Sequence, residues 1–360
     1  LKWETTTEYN TGLDASFLKG KLRFTVDVYQ KYIKDLLQKK VKMPTSIGYG
    51  NGYEVSYMNS GKMTNKGWEF RVDAVPFENR DWRVGFYFNI AHNENKITEM
   101  PDNYTEENYT FNNGEYAYRR EEGRPMGSFY GYRYKGVCQN KDATYARDAD
   151  GNVMKDISGN AIVMRNGTAT IAPGDALYED INHNGVINQY DIVYLGNSNP
   201  RFTGGAGVNV SYKQFKLSAI FYGRYGQDVV NSTRLNNESM RGIDNQSTAV
   251  LRRWRNEGDQ TDIPRALYGE GYNTLGSDRF VEDASYLRLK SLSFNYRLPK
   301  KIIQRWGFSN IDVYVTGYNL FTWTKYTGQD PEVKTENTYA RDSATTPASI
   351  QLVAGFNLSF

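Results

Sequence analysis

The sequence predicts an all-β fold: the carboxy-terminal part, of about nine strands, of a transmembrane antiparallel β-barrel with long external loops. Its segments of alternating apolar and polar side chains run for roughly ten to sixteen residues, whereas strands of globular proteins average about five or six. The connections between these segments are alternately short and long, as in outer-membrane barrels. Tyrosine is also abundant, at 29 of 360 residues, although the mean hydropathy is −0.69. Such amphipathic rings suit a boundary between an apolar phase and water.

Composition argues against several other classes of protein. No run approaches about eighteen consecutive apolar residues, so the sequence predicts no transmembrane helix. The 44 basic and 41 acidic residues give a net charge of +3 and are dispersed, which argues against nucleic-acid binding. Cys138 is the sole cysteine, and His92 and His183 are the only histidines, so disulfides, cysteine zinc sites and Ser-His-Asp triads are disfavoured. The first residue is Leu1 rather than Met, so we expect a removed signal or a missing amino-terminal part.

Nine segments carry the strand pattern. In the first, Tyr9, Leu13 and Phe17 share one face, and Lys19-Gly20 then reverses the chain into a hairpin. In the ninth, the apolar face is unbroken to Phe360. The predicted strands occupy residues 7–18, 22–29, 68–74, 82–90, 206–212, 215–225, 284–298, 311–316 and 350–360.

Four further features lie between or within these strands. In the seventh strand Leu287 and Leu289 are out of phase with Leu292 and the residues after it, which predicts a β-bulge. An amphipathic helix is predicted around Ser247 to Glu257, and a short basic helix within Pro299 to Asn310. A polar, glycine-rich connection runs from Gln38 to Met58.

The order of short and long connections predicts a topology. We assume that the last strand runs towards the periplasm and assign a direction to each earlier strand in turn. The two-residue turn Lys213-Gln214 should then lie on the periplasmic side, where barrels have short turns. This holds only when Met126 to Val137 does not cross the membrane. We therefore expect one large external region from about Asn93 to Asn199. Nine strands is an odd number, whereas single-chain bacterial barrels normally have an even one. The chain is thus predicted to be part of a larger barrel.

Residues 180–191 match the spacing of a calcium-binding loop, D-x-[DN]-x-[DN]-G-x5-[DE]. Oxygen ligands at alternate positions can surround a hard cation, and Gly185 allows the sharp turn. Only two ligands are anionic and position 12 is not glutamate, so we expect a structural Ca²⁺ of modest affinity. A polar turn that matches by chance is the alternative. The predicted ligands are Asp180, Asn182, Asn184, Val186, Asn188 and Asp191.

Two other groups of residues leave alternatives open. Four aromatic residues would suit stacking on sugars or peptides, or packing of their segment against the barrel wall; they are Phe129, Tyr130, Tyr132 and Tyr134. The arginines around Trp254 predict either a binding patch or, more simply, an amphipathic loop helix that rests on neighbouring loops. No spacing marks a catalytic carboxylate pair, and no glycine-rich phosphate loop joins a strand to a helix, so we expect no enzyme activity.

Five blocks of the sequence resemble the SusC/RagA-like TonB-dependent outer-membrane transporters of Bacteroidetes, and the similarity runs along nearly the whole chain. Any one block would be weak evidence, but five in the same order are specific. Asn184 is a departure, because family members often carry Asp there. The blocks are LKWETTTEYNTGLD, MNSGKMTNKGWEF, EGRPMGSFYGYRYKGV, GDALYEDINHNGVINQYDIVYLGNSNPRFTGG and YNLFTWTKYTGQDPEV.

The resemblance implies a 22-stranded barrel in the bacterial outer membrane, with its outer face against lipid. It also implies a plug domain and a TonB box, both upstream of Leu1, and a SusD-like surface lipoprotein that closes over the barrel. The imported substrates would be oligosaccharides or peptides. Two alternatives stay open: a passive porin, and a surface adhesin or soluble β-protein with a structural calcium.

Overall fold

The structure, a computed structural model, describes residues 1–360 apart from 43–53, 60, 101–106, 109, 270 and 337–338. Nine long strands form one antiparallel sheet in which each strand pairs with the next along the chain. The nine predicted strands and the all-β class are therefore confirmed. The strands are β1 (Thr5–Phe17), β2 (Leu22–Lys34), β3 (Lys62–Glu78), β4 (Trp82–Glu99), β5 (Phe202–Tyr212), β6 (Phe215–Tyr225), β7 (Tyr286–Arg297), β8 (Asn310–Thr324) and β9 (Gln351–Ser359).

All short turns lie at one end of this sheet and all long connections at the other. β1–β2, β3–β4 and β5–β6 are joined by two to four residues, and β7–β8 by residues 298–309. That last connection contains the predicted basic helix, which begins at Lys300 and continues as a 3-10 turn to Trp306. The sheet is open within the described chain, since β1 pairs only with β2 and β9 only with β8.

β3 and β4 extend further than the sequence predicts. The predicted external region began at about Asn93, but β4 continues to Glu99 and pairs with the start of β3, where Gly67 faces Asn93 and Lys62 faces Glu99. Apart from Met63 and Ile97, the residues in this extension are polar or glycine, so they lack the alternation that revealed the rest of the strand. Backbone pairing needs no such alternation, which is why the strand end was placed too early.

The predicted bulge in the seventh strand is confirmed at Lys290. The pairing of β7 with β6 passes from Leu289 to Ser291, so Lys290 has no partner in the register. The pairing with β8 is also irregular at this point, because it passes from Phe321 to Tyr318 opposite the same two residues. One extra residue reverses the direction of every later side chain, and this explains the change of phase in the sequence.

The predicted amphipathic helix around Ser247 to Glu257 is wrong in length and type. The structure has a five-residue 3-10 helix, Thr248–Arg252, and Arg253 leaves it with a ψ of 154°. The backbone N–H of Trp254 donates to the carbonyl oxygen of Ile263 at 2.9 Å instead of continuing the helix. Tertiary contacts thus override a helical pattern of marginal length.

The long connections contain small sheets and cores of their own. The Gln38 to Met58 connection begins and ends as a hairpin of Leu37–Lys42 with Glu54–Asn59, while residues 43–53 lie outside the described residues. Helix Ser232–Asn237 follows β6. The remaining short strands are Glu107–Asn108, Tyr118–Arg119, Ser128–Gly131, Tyr134–Val137, Arg165–Asn166, Ala169–Thr170, Ala176–Tyr178, Val186–Ile187, Val193–Asn197, Asp228–Asn231, Val281–Asp283, Thr335–Glu336 and Tyr339–Asp342. Among the described residues, no helix is long and apolar enough to span a bilayer.

Residues 100–201 are called the excursion below, and those of them that the structure describes do not join the nine-stranded sheet. Within the predicted non-crossing segment Met126 to Val137, Ser128–Gly131 pairs with Val193–Asn197, and Tyr134–Val137 pairs with Ala176–Tyr178. A hydrophobic core joins the excursion to two other long connections; its buried members are Tyr116, Phe129, Val230, Leu235, Phe280 and Tyr339. Three connections thus form one packed layer at this end of the sheet.

An eight-residue repeat builds part of the excursion. Ala146, Met154 and Ile162 are eight residues apart, and their backbones form a closed triangle of hydrogen bonds. The N–H groups of Met154, Ile162 and Ala146 donate to the carbonyls of Ala146, Met154 and Ile162 respectively, at 2.8 to 2.9 Å. Asp148 and Asp156, also eight apart, each accept backbone N–H groups in the turns between repeats.

Candidate functional site

The apolar face of the sheet is exposed along its whole width. On it, Leu13, Leu352 and Phe356 have 67%, 75% and 67% of their surfaces accessible. A water-soluble protein rarely exposes so continuous an apolar surface. The opposite face is polar, as the alternation predicts, so the sheet is a wall with two different environments.

Aromatic rings form a belt near each end of the apolar face. At the short-turn end Trp82 packs on Tyr212 with 4.3 Å between ring centroids, and Phe215 stacks on Tyr296 at 4.7 Å. Near the other end, Phe202 contacts Trp68 at 6.2 Å. Phe202 and Tyr212 are the first and last residues of β5, so a tilt of about 40° separates the belts by roughly 25 Å. This separation matches the apolar band of an outer-membrane barrel.

On the polar face, three tyrosine rings lie over glycines of the neighbouring strand. Tyr29 faces Gly67, Tyr87 faces Gly207 and Tyr314 faces Gly355 in the strand register. A Cβ atom on these glycines would lie 2.2 to 2.7 Å from the nearest ring atom of the tyrosine. The missing side chains let the rings lie flat on the wall, an arrangement that shields glycine in a strand. The same face carries a groove of about 590 Å³ that includes Arg23, Arg71 and Lys216.

The predicted calcium loop places its polar side chains around one tight turn. Asp180 accepts hydrogen bonds from the N–H groups of Asn184 and Gly185, at 3.2 and 2.7 Å. Asn182 and Asn184 accept N–H groups two residues later. Gly185 has a φ of +78°, and a Cβ there would lie 3.0 Å from Ala146 Cβ, so the loop rests on the eight-residue repeat. The Gly185 position therefore needs glycine for both conformation and space.

Asp191 closes the loop from the other side. Its carboxylate accepts the N–H of Ile181 at 2.9 Å and that of Asn188 at 2.8 Å, and it is buried. Burial raises the pKa of the Asp191 carboxyl above its ordinary value. The backbone hydrogen bonds from Asn188 and Ile181 lower that pKa in part, and the negative charge of Asp180 raises it further.

The donor set of this loop fits a hard cation. Carboxylate, amide and carbonyl oxygens alternate along it, and those are the ligands that calcium takes. The described residues contain no group of three or more His, Cys, Asp or Glu side chains suited to a metal. The loop accordingly offers two charged ligands and depends on neutral oxygens for the rest.

The four aromatic residues from Phe129 to Tyr134 differ in exposure. Phe129, Tyr130 and Tyr132 are buried in the packed connections, whereas Tyr134 is half-buried. Tyr134 donates its hydroxyl to the carbonyl oxygen of Asp262 at 2.7 Å. Burial favours the packing alternative for the first three rings; contact with a substrate remains a prediction for this segment.

The arginine-rich segment packs against the excursion through its tryptophan. A Cβ on Gly174 would lie 2.3 Å from Trp254 Cε3, so this ring covers the glycine. Nearby, Arg265 donates two hydrogen bonds to Asp175, at 2.7 and 3.2 Å. These contacts favour a loop that rests on its neighbours over an arginine binding patch.

An ion network at the top of the wall was not apparent in the sequence. Arg288, on β7, is 2% exposed and donates to Asp330 at 2.5 Å, Glu332 at 2.9 Å and Thr322 at 2.8 Å. Lys290 also reaches Glu332, at 2.8 Å. The two acids come from the connection between β8 and β9, so the network ties that connection to the sheet. In the sequence, Asp330 and Glu332 stand out only as part of the block GQDPEV, and no known motif spacing links them to Arg288.

Comparison with known proteins decides the family. A family model described as TonB dependent receptor-like, beta-barrel matches residues 1–320. The chain belongs to this family. Its members are transporters rather than enzymes, and they reside in the outer membrane.

Relatives within the TonB-dependent receptor family show that the chain is SusC/RagA-like. It is 32% identical over 94% of its length to TonB-dependent receptor P3 of Formosa agariphila, and 27% identical over its full length to TonB-dependent receptor SusC of Bacteroides thetaiotaomicron. The structure of the RagAB peptide importer in its closed-closed state covers the whole chain with a TM-score of 0.75 and 26% identity. The chain spans 31% of P3, 32% of SusC and 36% of that importer chain.

Proposed function

We propose that this chain forms nine strands in the wall of a 22-stranded outer-membrane importer of oligosaccharides or peptides. The observation that carries the proposal is the two-faced sheet with its aromatic belts, which suits lipid outside and a polar lumen inside. The TonB-dependent receptor family supplies the class of transport. The plug domain and the TonB box that couple it to energy are proposed to lie upstream of Leu1.

We further propose that the long connections, including residues 93–199, lie outside the cell, dock a SusD-like lipoprotein and contact the substrate. All four long connections leave the same end of the sheet. Three of them share one buried core, so they offer a single folded surface rather than separate loops. The structurally similar RagAB assembly is a peptide importer, which supports a peptide as one candidate substrate.

Uptake in a deletion strain tests this function. Cells that lack the full-length receptor should lose growth on, or uptake of, its substrate from a panel of oligosaccharides and peptides. The intact gene should restore uptake, whereas a version without the TonB box should not. Uptake that persists without the TonB box would instead identify a passive porin.

We also propose that residues 180–191 bind a structural Ca²⁺ that braces the excursion. The alternating oxygen donors and the positive φ of Gly185 support this. Few connections as long as the excursion are ordered without a sheet, a metal or a packed core of their own.

Calcium should bind the full-length receptor with a dissociation constant of roughly 10⁻⁴ to 10⁻³ M, as in extracellular modules. Isothermal titration would measure it, and protease resistance of the excursion should fall when a chelator removes the ion. Asp180→Asn should weaken binding at least about tenfold, because it removes one of two charged ligands. Asp148→Asn, in a turn of the eight-residue repeat, is the matched control and should not. No binding at millimolar calcium would refute the site.

A further inference from the structure

The short-turn end of the sheet carries a concentrated positive charge. The four turns, residues 18–21, 79–81, 213–214 and 298–309, contain seven basic residues and one acidic residue, Asp81. We call the seven the basic rim; they are Lys19, Lys21, Arg80, Lys213, Lys300, Lys301 and Arg305. These turns are thus net +6, while the whole chain is net +3, so the rest of the chain is net −3.

Most of this charge is available for an external partner. Lys21 pairs with Glu78 at 3.4 Å, and the ammonium of Lys213 lies over the ring of Tyr212. Within the described part of the chain, no ion pair is seen for the other five members of the basic rim. Lys300, Lys301 and Arg305 are exposed. Their long side chains can reach beyond the backbone while the charge stays in water.

The helical segment from Lys300 to Trp306 adds exposed apolar groups beside these charges. Ile302 and Trp306, four residues apart on one helix face, are 46% and 60% exposed. Lys301 and Arg305 form the adjacent row. Ile303 is fully buried and anchors the segment, which also contacts β8. An exposed aliphatic and tryptophan face next to a cationic face is the pattern of a helix that lies in a membrane interface.

The position of the basic rim along the sheet also fits a membrane interface. The basic rim follows directly after the aromatic belt formed by Trp82, Tyr212 and Phe215. Aromatic belts lie at the level of the headgroups. The cations just beyond this belt therefore reach the phosphates of the adjacent leaflet, whose anionic lipids attract each basic residue.

We infer that the basic rim and the segment Lys300 to Trp306 form a docking surface for anionic phospholipid headgroups in the leaflet at the short-turn end. Charge alone would also fit an acidic protein. The exposed Ile302 and Trp306 favour lipid, because they match the apolar zone immediately beneath the headgroups. This inference rests on the proposed membrane location but not on import, the TonB box or any substrate.

Lipid retention by the full-length receptor tests the inference. The receptor is incorporated into nanodiscs of phosphatidylethanolamine with a minor fraction of phosphatidylglycerol, and native mass spectrometry measures which lipid remains bound. We expect phosphatidylglycerol to be enriched. The triple variant Lys300→Ser/Lys301→Ser/Arg305→Ser should lower that enrichment roughly tenfold to hundredfold, since each basic residue near an anionic surface contributes about a fivefold factor.

Two control variants separate the effect of the rim charges from the effect of the apolar contacts made by Ile302 and Trp306. Lys141→Ser/Lys155→Ser/Arg165→Ser removes three exposed basic residues from the excursion and should leave the enrichment unchanged. Ile302→Ser/Trp306→Ser should reduce retention of both lipids equally, because it removes apolar contact and no charge.

The inference would be overturned if phosphatidylglycerol stayed enriched in the variant Lys300→Ser/Lys301→Ser/Arg305→Ser. It would also be overturned if that variant and the control triple variant in the excursion lowered the enrichment equally. An acidic periplasmic protein bound at the rim without lipid selectivity would also overturn it. If the intact receptor shows the lipid selectivity but restores no uptake in the deletion strain, the proposed import alone would be contradicted.

Discussion

Arg288→Ala should detach the connection between β8 and β9 from the barrel wall. The substitution leaves Asp330 and Glu332 without the buried guanidinium that holds them, and only Lys290 still reaches Glu332. Breaking a buried ion pair by removing one partner costs about 3 to 5 kcal/mol. We expect the connection to become sensitive to protease at residues 326–348 while the barrel itself remains folded, since barrel strands are held by their backbone pairing.

Arg297→Ala is the matched control for this prediction. Arg297 is on the same strand and pairs with Asp312 at 2.9 Å, but its side chain is 63% exposed. Asp312 itself is buried and also accepts a hydrogen bond from Asn310, so loss of the solvent-exposed Arg297 should cost only about 1 kcal/mol. Equal protease sensitivity in both variants would show that the Arg288 network does not hold the connection.

Acid should weaken the same attachment. Burial works against ionisation of Asp330, but hydrogen bonds from the N–H groups of Ala348 and Glu332 and from Arg288 hold the pKa of its carboxyl below the ordinary value. The resulting stabilisation is complete above the carboxyl's unfolded pKa and is lost as the pH falls through the folded one. Protease sensitivity of residues 326–348 should therefore appear in the wild type only as the pH falls below the ordinary carboxyl pKa, whereas Arg288→Ala should already be sensitive at neutral pH because the connection is detached.

Gly207→Ala should destabilise the wall at β4 and β5 by about 1 to 3 kcal/mol, the usual range for overpacking. Its Cβ would lie 2.2 Å from Cε1 of Tyr87, so the ring must swing away from the wall. Urea unfolding followed by the gel shift between folded and heated barrel measures the change.

A double-mutant cycle isolates the tyrosine contact. In a Tyr87→Ala background, Gly207→Ala should cost close to nothing, because the clash is gone. Gly85→Ala, on the same face with its nearest neighbour 3.6 Å from the new Cβ, should be neutral or slightly stabilising. A cost of Gly207→Ala that is unchanged in the Tyr87→Ala background would refute the tyrosine contact as its cause.

Alternation in the sequence predicted the membrane-spanning part of each strand and the bulge at Lys290, because a face exposed to lipid must be apolar. It failed for the ends of β3 and β4, which consist mostly of polar residues and so carry no alternation. The helix predicted near Trp254 failed for another reason: that ring covers Gly174, a contact between residues 80 positions apart.

In the candidate site too, features set by neighbouring residues could be predicted from the sequence, whereas contacts between distant residues could not. The calcium spacing is local, so Asp180 to Asp191 could be found by reading twelve residues. Arg288 lies on β7 and Asp330 in the connection between β8 and β9, 42 residues apart, so no local pattern marks their contact. The eight-residue repeat through Ala146, Met154 and Ile162 was visible in principle, because comparing the sequence with itself would reveal it.

Cysteine labelling on intact cells tests most directly whether the sheet spans the outer membrane with the excursion outside. Burial raises the pKa of Cys138 to about 11, so its thiol is unreactive, and Cys138→Ser provides a clean background. Ile157, at a turn of the excursion, is fully exposed, and Lys19 lies in a short turn. A membrane-impermeant maleimide should label Ile157→Cys in intact cells and Lys19→Cys only after the outer membrane is permeabilised. Labelling of Lys19→Cys in intact cells, or of Ile157→Cys only after permeabilisation, would contradict this topology.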